Sequence, residues 1–212
     1  MTDADPGAYA PPDSSGSYAP QPMLRGEKVW LRPVEPSELA EGVEKVNDAT
    51  IAHFAGFKSP ITRAGADRFG QKLVDEPGRT PSWLIFNIIP LGDQKGIGTV
   101  GFRDIDHLNG SAELTILLDD RRLLGKGYGT DAVNVLCDFG FGELRLERIF
   151  LRVFDYNARA IRSYEKAGFR TDALTRRSRF HRGVHHDVVV MSILRDDWLA
   201  LPRPKSWDLA GP

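Results

Sequence analysis

Between Ala112 and Phe154 the apolar pattern changes period twice, and few architectures accommodate the change. Ala112-Glu113-Leu114-Thr115-Ile116-Leu117-Leu118 is a short aliphatic run that reads as a strand. From Gly127, Val133, Leu136, Cys137 and Phe141 recur at helical spacing before Gly142, and Arg148 to Phe154 returns to an apolar strand. A strand, a long amphipathic helix and a second strand make a β-α-β unit. Upstream, Trp83 to Ile89, Ile97 to Asp104 and Ala112 to Leu118 are separated by turns at Gly92-Asp93 and Asn109-Gly110, the pattern of an antiparallel meander. Downstream, a helix from Asn157 to Ala167, closed by Gly168, precedes strands Arg176 to His181 and His186 to Leu194 joined at Arg182-Gly183. The expected fold class is therefore α/β: a mixed sheet with a meander, a central β-α-β unit and a C-terminal hairpin.

The N-terminal half adds a strand at Val29 to Arg32 ended by Pro33, a helix capped by Ser37, and a second helix from Arg63 to Val74. Residues 1–22 are almost entirely Ala, Pro, Gly, Ser, Asp and Tyr, too poor in aliphatic surface to offset the entropy of ordering, and read as a disordered tail. Residues 23–197 form the expected domain and 198–212 a Pro-containing tail, in which Trp198 and Trp207 fit either folding back or supporting a homodimer.

Bulk properties exclude several classes. In 212 residues, 28 basic and 29 acidic side chains nearly cancel, so no global field favours nucleic acid or a membrane surface. Cys137 alone forms no intramolecular disulfide, which favours a reducing, cytoplasmic setting. No apolar run approaches the roughly 20 residues of a spanning helix. His181, His185 and His186 cluster at the hairpin, but their spacing matches no zinc motif and Arg176, Arg177, Arg179 and Arg182 repel a cation, so no metal is expected. Glu35, Glu38, Glu41 and Glu44 recur every three residues, the pattern of a solvated face or of a surface that attracts a cationic amine.

The segment Arg122-Leu123-Leu124-Gly125-Lys126-Gly127-Tyr128-Gly129-Thr130 lies where a strand gives way to a helix. Its glycines let a ligand approach the backbone, and the free N–H groups of a helix start suit a phosphate. It is not a P-loop, because its Gly-Lys is followed by Gly127. It departs from the dinucleotide fingerprint, because Thr130 stands at the third glycine position. It does satisfy Arg/Gln-x-x-Gly-x-Gly/Ala through Arg122, Gly125 and Gly127. Asn157-Ala158-Arg159-Ala160-Ile161-Arg162-Ser163-Tyr164-Glu165-Lys166-Ala167-Gly168-Phe169 adds a second motif. Together these resemble the GNAT superfamily of acyl-CoA N-acyltransferases, closest to its RimJ/RimL-type branch, over about Lys28 to Leu194.

The resemblance implies acetyl-CoA as co-substrate and a primary amine as acceptor, a protein N-terminal α-amine first, with polyamines, antibiotics or amino acids as the alternative. Succinyl-CoA or another acyl donor fits the same loop, and a non-catalytic acyl-CoA-binding module is the reading from a different class. It also implies roles for particular residues. Gly125, Lys126, Gly127, Tyr128, Gly129 and Thr130, with Arg122, would hold the pyrophosphate; Leu117 and Leu118 would pair through their backbones with pantetheine; Asn157 would bind the pantetheine arm. Tyr164, on the same helix face as Asn157 by its i+7 spacing, would protonate the CoA sulfur. Glu113 is the candidate base, beside the alternative of a solvated strand glutamate. An α-amine with pKa near 8 asks little of it, whereas a lysine-like amine near 10.4 costs about 4.6 kcal/mol to deprotonate at neutral pH.

Overall fold

The computed structural model describes residues 23–74, 82–119 and 121–210; the expected disordered tail lies outside them. In chain order the strands are β1 (Leu24–Arg25), β2 (Val29–Pro33), β3 (Leu84–Pro90), β4 (Gly98–Asp106), β5 (Ser111–Leu118), β6 (Arg148–Phe154), β7 (Arg170–His181) and β8 (Val184–Leu194). The helices are α1 (Pro36–Glu41), α2 (Val43–Val46), α3 (Ala49–Ala55), α4 (Arg63–Val74), α5 (Tyr128–Gly142), α6 (Ala158–Lys166), α7 (Arg195–Leu199) and α8 (Ser206–Ala210). One mixed sheet runs β1-β2-β3-β4-β5-β6-β8-β7, and its parallel pair is β5 with β6, joined by α5 as a β-α-β unit.

The segment expected as one helix from Ser37, carrying Leu39, Val43 and Val46, is two short ones, α1 and α2, and a third, α3, follows beyond it. Gly42 closes α1, and Asp48 opens α3 by accepting the N–H groups of Thr50 (2.9 Å) and Ile51 (3.1 Å). Gly56, in the left-handed region at φ 72°, ends α3. Strand β7 begins at Arg170, six residues before the expected start, because its first half is an exposed edge pairing with Val188–Ser192 and carries no apolar alternation to announce it.

The core forms where α5 packs on the sheet. Val133, Leu136, Cys137 and Phe141 are buried against Phe102, Ile149 and Leu151, each large side chain contributing roughly 1.5–3 kcal/mol. Gly140 permits the close approach, since a Cβ there would stand 2.8 Å from Phe102 and 3.0 Å from Ile149. Trp198 and Ser206, in the segment set apart as a tail by the sequence pattern, are buried against this core. Trp198 is 3% exposed and stacks on Phe141 at 5.1 Å. Asp138, buried in α5, accepts from Trp198 Nε1 (2.7 Å), the Ser206 N–H (2.8 Å) and both Nη atoms of Arg203 (2.9 and 2.7 Å). A buried carboxylate is tolerated only with such partners, so α5 and the C-terminal segment require one another.

Candidate functional site

The central parallel pair comes apart partway along. Ser111, Ala112 and Glu113 pair with Arg148, Ile149 and Phe150; beyond them β5 stays with β4 to Leu118, while β6 stays with β8 to Phe154. The result is a wedge open toward the C-terminal ends of both strands. The helices that follow those strands start at its mouth, so the N-termini of α5 and α6, each the positive end of a helix, face it together.

Peptide groups inside the wedge are free on one side. Asp119 donates its N–H to Ile97 (2.9 Å) and the Leu117 carbonyl presses on Gly98, so the odd-numbered peptides here face β4. Alternation turns those of Ile116 and Leu118 to the open side. Of the two leucines named from the sequence, Leu118 presents its backbone to the wedge and Leu117 spends its own on β4. Ile116 joins the open edge, a parity that becomes readable once the register is known.

Gly125 and Gly127 adopt positive φ (78° and 90°), and Gly127 caps α5. Space around Gly125 is open, and Gly129 lets the first turn of α5 approach Leu118, where a Cβ would lie 3.3 Å from its side chain. Arg122 lies in the short 3-10 turn Arg121–Leu123, and Lys126 is exposed. A cation that no sequence motif announces completes the loop: Lys28 Nζ donates to the Lys126 carbonyl (2.9 Å) beside Gly127. Asp131 brings it there by accepting the N–H groups of Glu27 (3.2 Å), Lys28 (2.8 Å) and Val29 (2.9 Å). No spacing signals a partner 98 residues away. Three glycine-lined N–H groups, a helix N-terminus and a lysine form a cradle suited to a diphosphate.

On α6, the Asn157 carbonyl oxygen caps the helix by accepting from Ala160 N (3.2 Å), and its amide nitrogen has no hydrogen-bond partner among the described residues. Ser163 is tied to Thr130 across the two helices (2.7 Å), which fixes the neighbouring Tyr164 relative to the cradle. The Tyr164 ring lies against Phe169 at 6.0 Å; its hydroxyl makes no hydrogen bond among the described residues, and burial pushes its pKa up to about 12.

Glu113 stands at the apex of the wedge, 2% exposed. Arg152 of β6 meets it at two points (Nε–Oε1 3.0 Å, Nη2–Oε2 2.6 Å), and Arg103 of β4 contacts Oε1. Burial alone would raise its pKa, but the two guanidinium groups outweigh that and hold the carboxyl below its ordinary range. It is neither a solvated strand glutamate nor a carboxylate with a disengaged oxygen. The acidic series of α1 is also partly consumed, since Glu38 accepts from Arg32 (2.6 and 3.1 Å), Asn87 (2.8 Å) and the Glu35 N–H (2.8 Å). A cavity of about 230 Å³ between Arg25–Glu27, α5 and Arg203–Leu209 shares no residue with the wedge. Among the described residues no His, Cys, Asp and Glu group is arranged to hold a metal, and no helix is long and apolar enough to cross a membrane.

Comparison with known proteins agrees with this geometry. Residues 28–170 match the acetyltransferase (GNAT) domain family. The uncharacterized N-acetyltransferase p20 of Bacillus licheniformis is 35% identical over 82% of this chain and 97% of its own. Spermidine N(1)-acetyltransferase of Escherichia coli is 26% identical over 84% of this chain and 92% of its own. The solved structure of spermidine N-acetyltransferase from Vibrio cholerae, in complex with CoA and spermine, superposes with a TM-score of 0.72 at 25% identity, covering 81% of this chain and 98% of that one.

Proposed function

The chain belongs to the GNAT acetyltransferase family and is an acyl-CoA-dependent N-acetyltransferase; on that premise we propose that it moves acetyl from acetyl-CoA to a primary amine of a small molecule. The observation that carries the site is the wedge itself, with unpaired backbone at Ile116 and Leu118 below the cradle of Gly125 to Thr130 and beside Tyr164. Pantetheine would add to the open edge of β5 as a strand does and reach the Asn157 amide, while the diphosphate rests on the first turn of α5 near Lys28. The preference for a small-molecule acceptor over the protein N-terminus suggested by the RimJ/RimL-type resemblance draws support from relatives named for spermidine.

Tyr164 is assigned to the departing sulfur. With a pKa of about 12 it stays protonated across the working range. Full transfer to a free thiolate of pKa near 8.5 would be uphill by roughly 5 kcal/mol. It therefore acts by hydrogen-bonding the sulfur as charge builds in the collapsing intermediate. Glu113, with both oxygens engaged, is assigned to holding β4, β5 and β6 together where the strands part, and not to proton abstraction.

Calorimetric titration with acetyl-CoA and succinyl-CoA, followed by turnover on spermidine, free amino acids and N-terminal peptides, tests the reading. Micromolar acetyl-CoA binding with turnover on one of the small amines is the expected result. Turnover on peptides alone would return the acceptor to the protein N-terminus, and absence of CoA binding would sink the site.

A further inference from the structure

Helices α2 and α3 span the mouth of the wedge. Lys45 of α2 holds Asp119 just past the end of β5 (2.8 Å), while Gly56, at the end of α3, lies against the Phe154 ring at the end of β6. Ile149 faces α5, so alternation puts Phe150, Arg152 and Phe154 on the other face of the sheet with Glu113. An acceptor that reaches the thioester from that face passes α2 and α3.

On that path two imidazoles meet. His53 Nδ1 lies 2.7 Å from His181 Nε2, the rings stacked at 4.9 Å. Tyr156, one residue before Asn157, stacks on His53 at 4.6 Å and donates its hydroxyl to the His53 carbonyl (3.0 Å). At the separation of the two nitrogens, one carries the proton and the other the lone pair. Either tautomer leaves the pair with one outward lone pair, on His53 Nε2 or His181 Nδ1, and one outward N–H. Neither outer nitrogen has a hydrogen-bond partner among the described residues.

The surroundings disfavour protonation of the pair. Arg179 and Arg182 bond to the carbonyls of Gly56 and Ala49, not to carboxylates, and so leave their charge uncompensated. Arg159 lies over the Phe54 ring at 5.6 Å, and Asp155 stands 3.8 Å from His186 rather than at the pair. Burial first, then Arg182 and the neighbouring imidazoles, hold the His53 pKa below its ordinary value; that of His181 is lowered in the same way, with Arg179 adding to it.

We propose that the His53–His181 pair is the proton acceptor for the amine, an inference that rests on the acetyltransferase reading of the wedge. The ammonium form gives one proton to the outward lone pair. The neutral nitrogen then bonds to the acetyl carbon, and the C–S bond breaks with its electrons on sulfur. The nitrogen's second proton passes to the leaving thiolate, which the Tyr164 hydroxyl hydrogen-bonds, and the pair returns its own proton to water. The sum is ammonium plus thioester giving amide, thiol and one proton.

His53→Gln and His181→Gln test this by pH dependence on three acceptors: glycinamide, spermidine and an N-terminal tetrapeptide. Each variant should lower kcat/KM at pH 7 by more than tenfold with CoA affinity unchanged. For the two α-amines, neutral without help above a pKa near 8, the deficit should shrink to within threefold at pH 9.5; for the lysine-like amines of spermidine it should persist. A loss equal at every pH, or no loss, overturns the proposal. If the wild type acetylates the tetrapeptide alone, the small-molecule reading fails while the pair is still judged on the peptide. Imidazole ¹⁵N NMR tests the pair independently of turnover: one shared proton lost below pH 6.5 is expected, and two independent titrations near 6.5 overturn the pair.

Discussion

Replacing Glu113 by Gln separates two roles a glutamate can have at this position. The substitution keeps shape and one carbonyl acceptor but removes the charge that faces Arg152 and Arg103. The carboxylate takes part in three hydrogen bonds with guanidinium groups, each worth about 1.5–3 kcal/mol net, which bounds the loss from above. The side chains of Arg152 and Arg103 are 53% and 32% exposed, so both re-solvate when their partner is lost. The expected destabilisation is therefore about 2–3 kcal/mol, or a fall in melting temperature of about 4–12 °C for a domain of this size. The folded carboxyl is held below its ordinary range, so its stabilisation is complete above the unfolded value near 4.3 and is lost as pH falls through the lower folded value. The Glu113→Gln variant should flatten that acid limb in denaturant melts between pH 5 and about 2. Its turnover should fall less than tenfold, whereas loss of a general base costs about 10²–10⁴. An unchanged melting temperature combined with a hundredfold loss of kcat would refute the anchoring role and restore Glu113 as the base.

Three further outcomes follow from the geometry. Gly127→Val places a β-branched residue at φ 90°, straining the backbone by about 1–2 kcal/mol and crowding Lys28, and should weaken CoA binding at least tenfold by calorimetry; undiminished affinity would remove the loop from the site. Tyr164→Phe should lower kcat by about 10²–10³ with the acetyl-CoA KM little changed, and a fully active variant would exclude Tyr164 from the chemistry. Trp198→Ala opens a void against Phe141 and removes one of the two hydrogen bonds at Asp138 Oδ1, so denaturant melts should show a loss of about 3–5 kcal/mol; a midpoint matching the wild type would mean that Trp198 contributes nothing to the core.

Periodicity carried much of this fold into the sequence. The spacing of Val133, Leu136 and Phe141 placed α5 on the sheet, and the seven-residue interval from Asn157 to Tyr164 put both on one side of α6. Turn glycines located the meander and the loop before α5. Periodicity reports which face of an element is buried, and says nothing of register. Glu113 meets Arg103 on one neighbouring strand and Arg152 on the other, and only register decides that. The same limit hid the difference between Leu117 and Leu118. Lys28 reaches Gly127, and His53 reaches His181, across 98 and 128 residues through polar contacts that no local pattern encodes. Helix α3 was missed because seven residues with one buried side chain give too short a stripe to read.

The fastening of α5 bears on when the protein becomes competent. Asp131, in the first turn, holds the backbone of residues 27–29, while Asp138, two turns on, holds Trp198, Arg203 and Ser206. One helix thus ties the start of the described chain to its end, and the same helix supplies the floor of the cradle proposed for the cofactor. A nascent chain halted before Trp198 would carry a charge in its core with nothing to meet it, and the cradle would rest on an unsettled base. The two ends of the described chain are thus coupled through a single helix, and a chain lacking its C-terminal segment would lose support beneath the loop at Gly125 to Thr130.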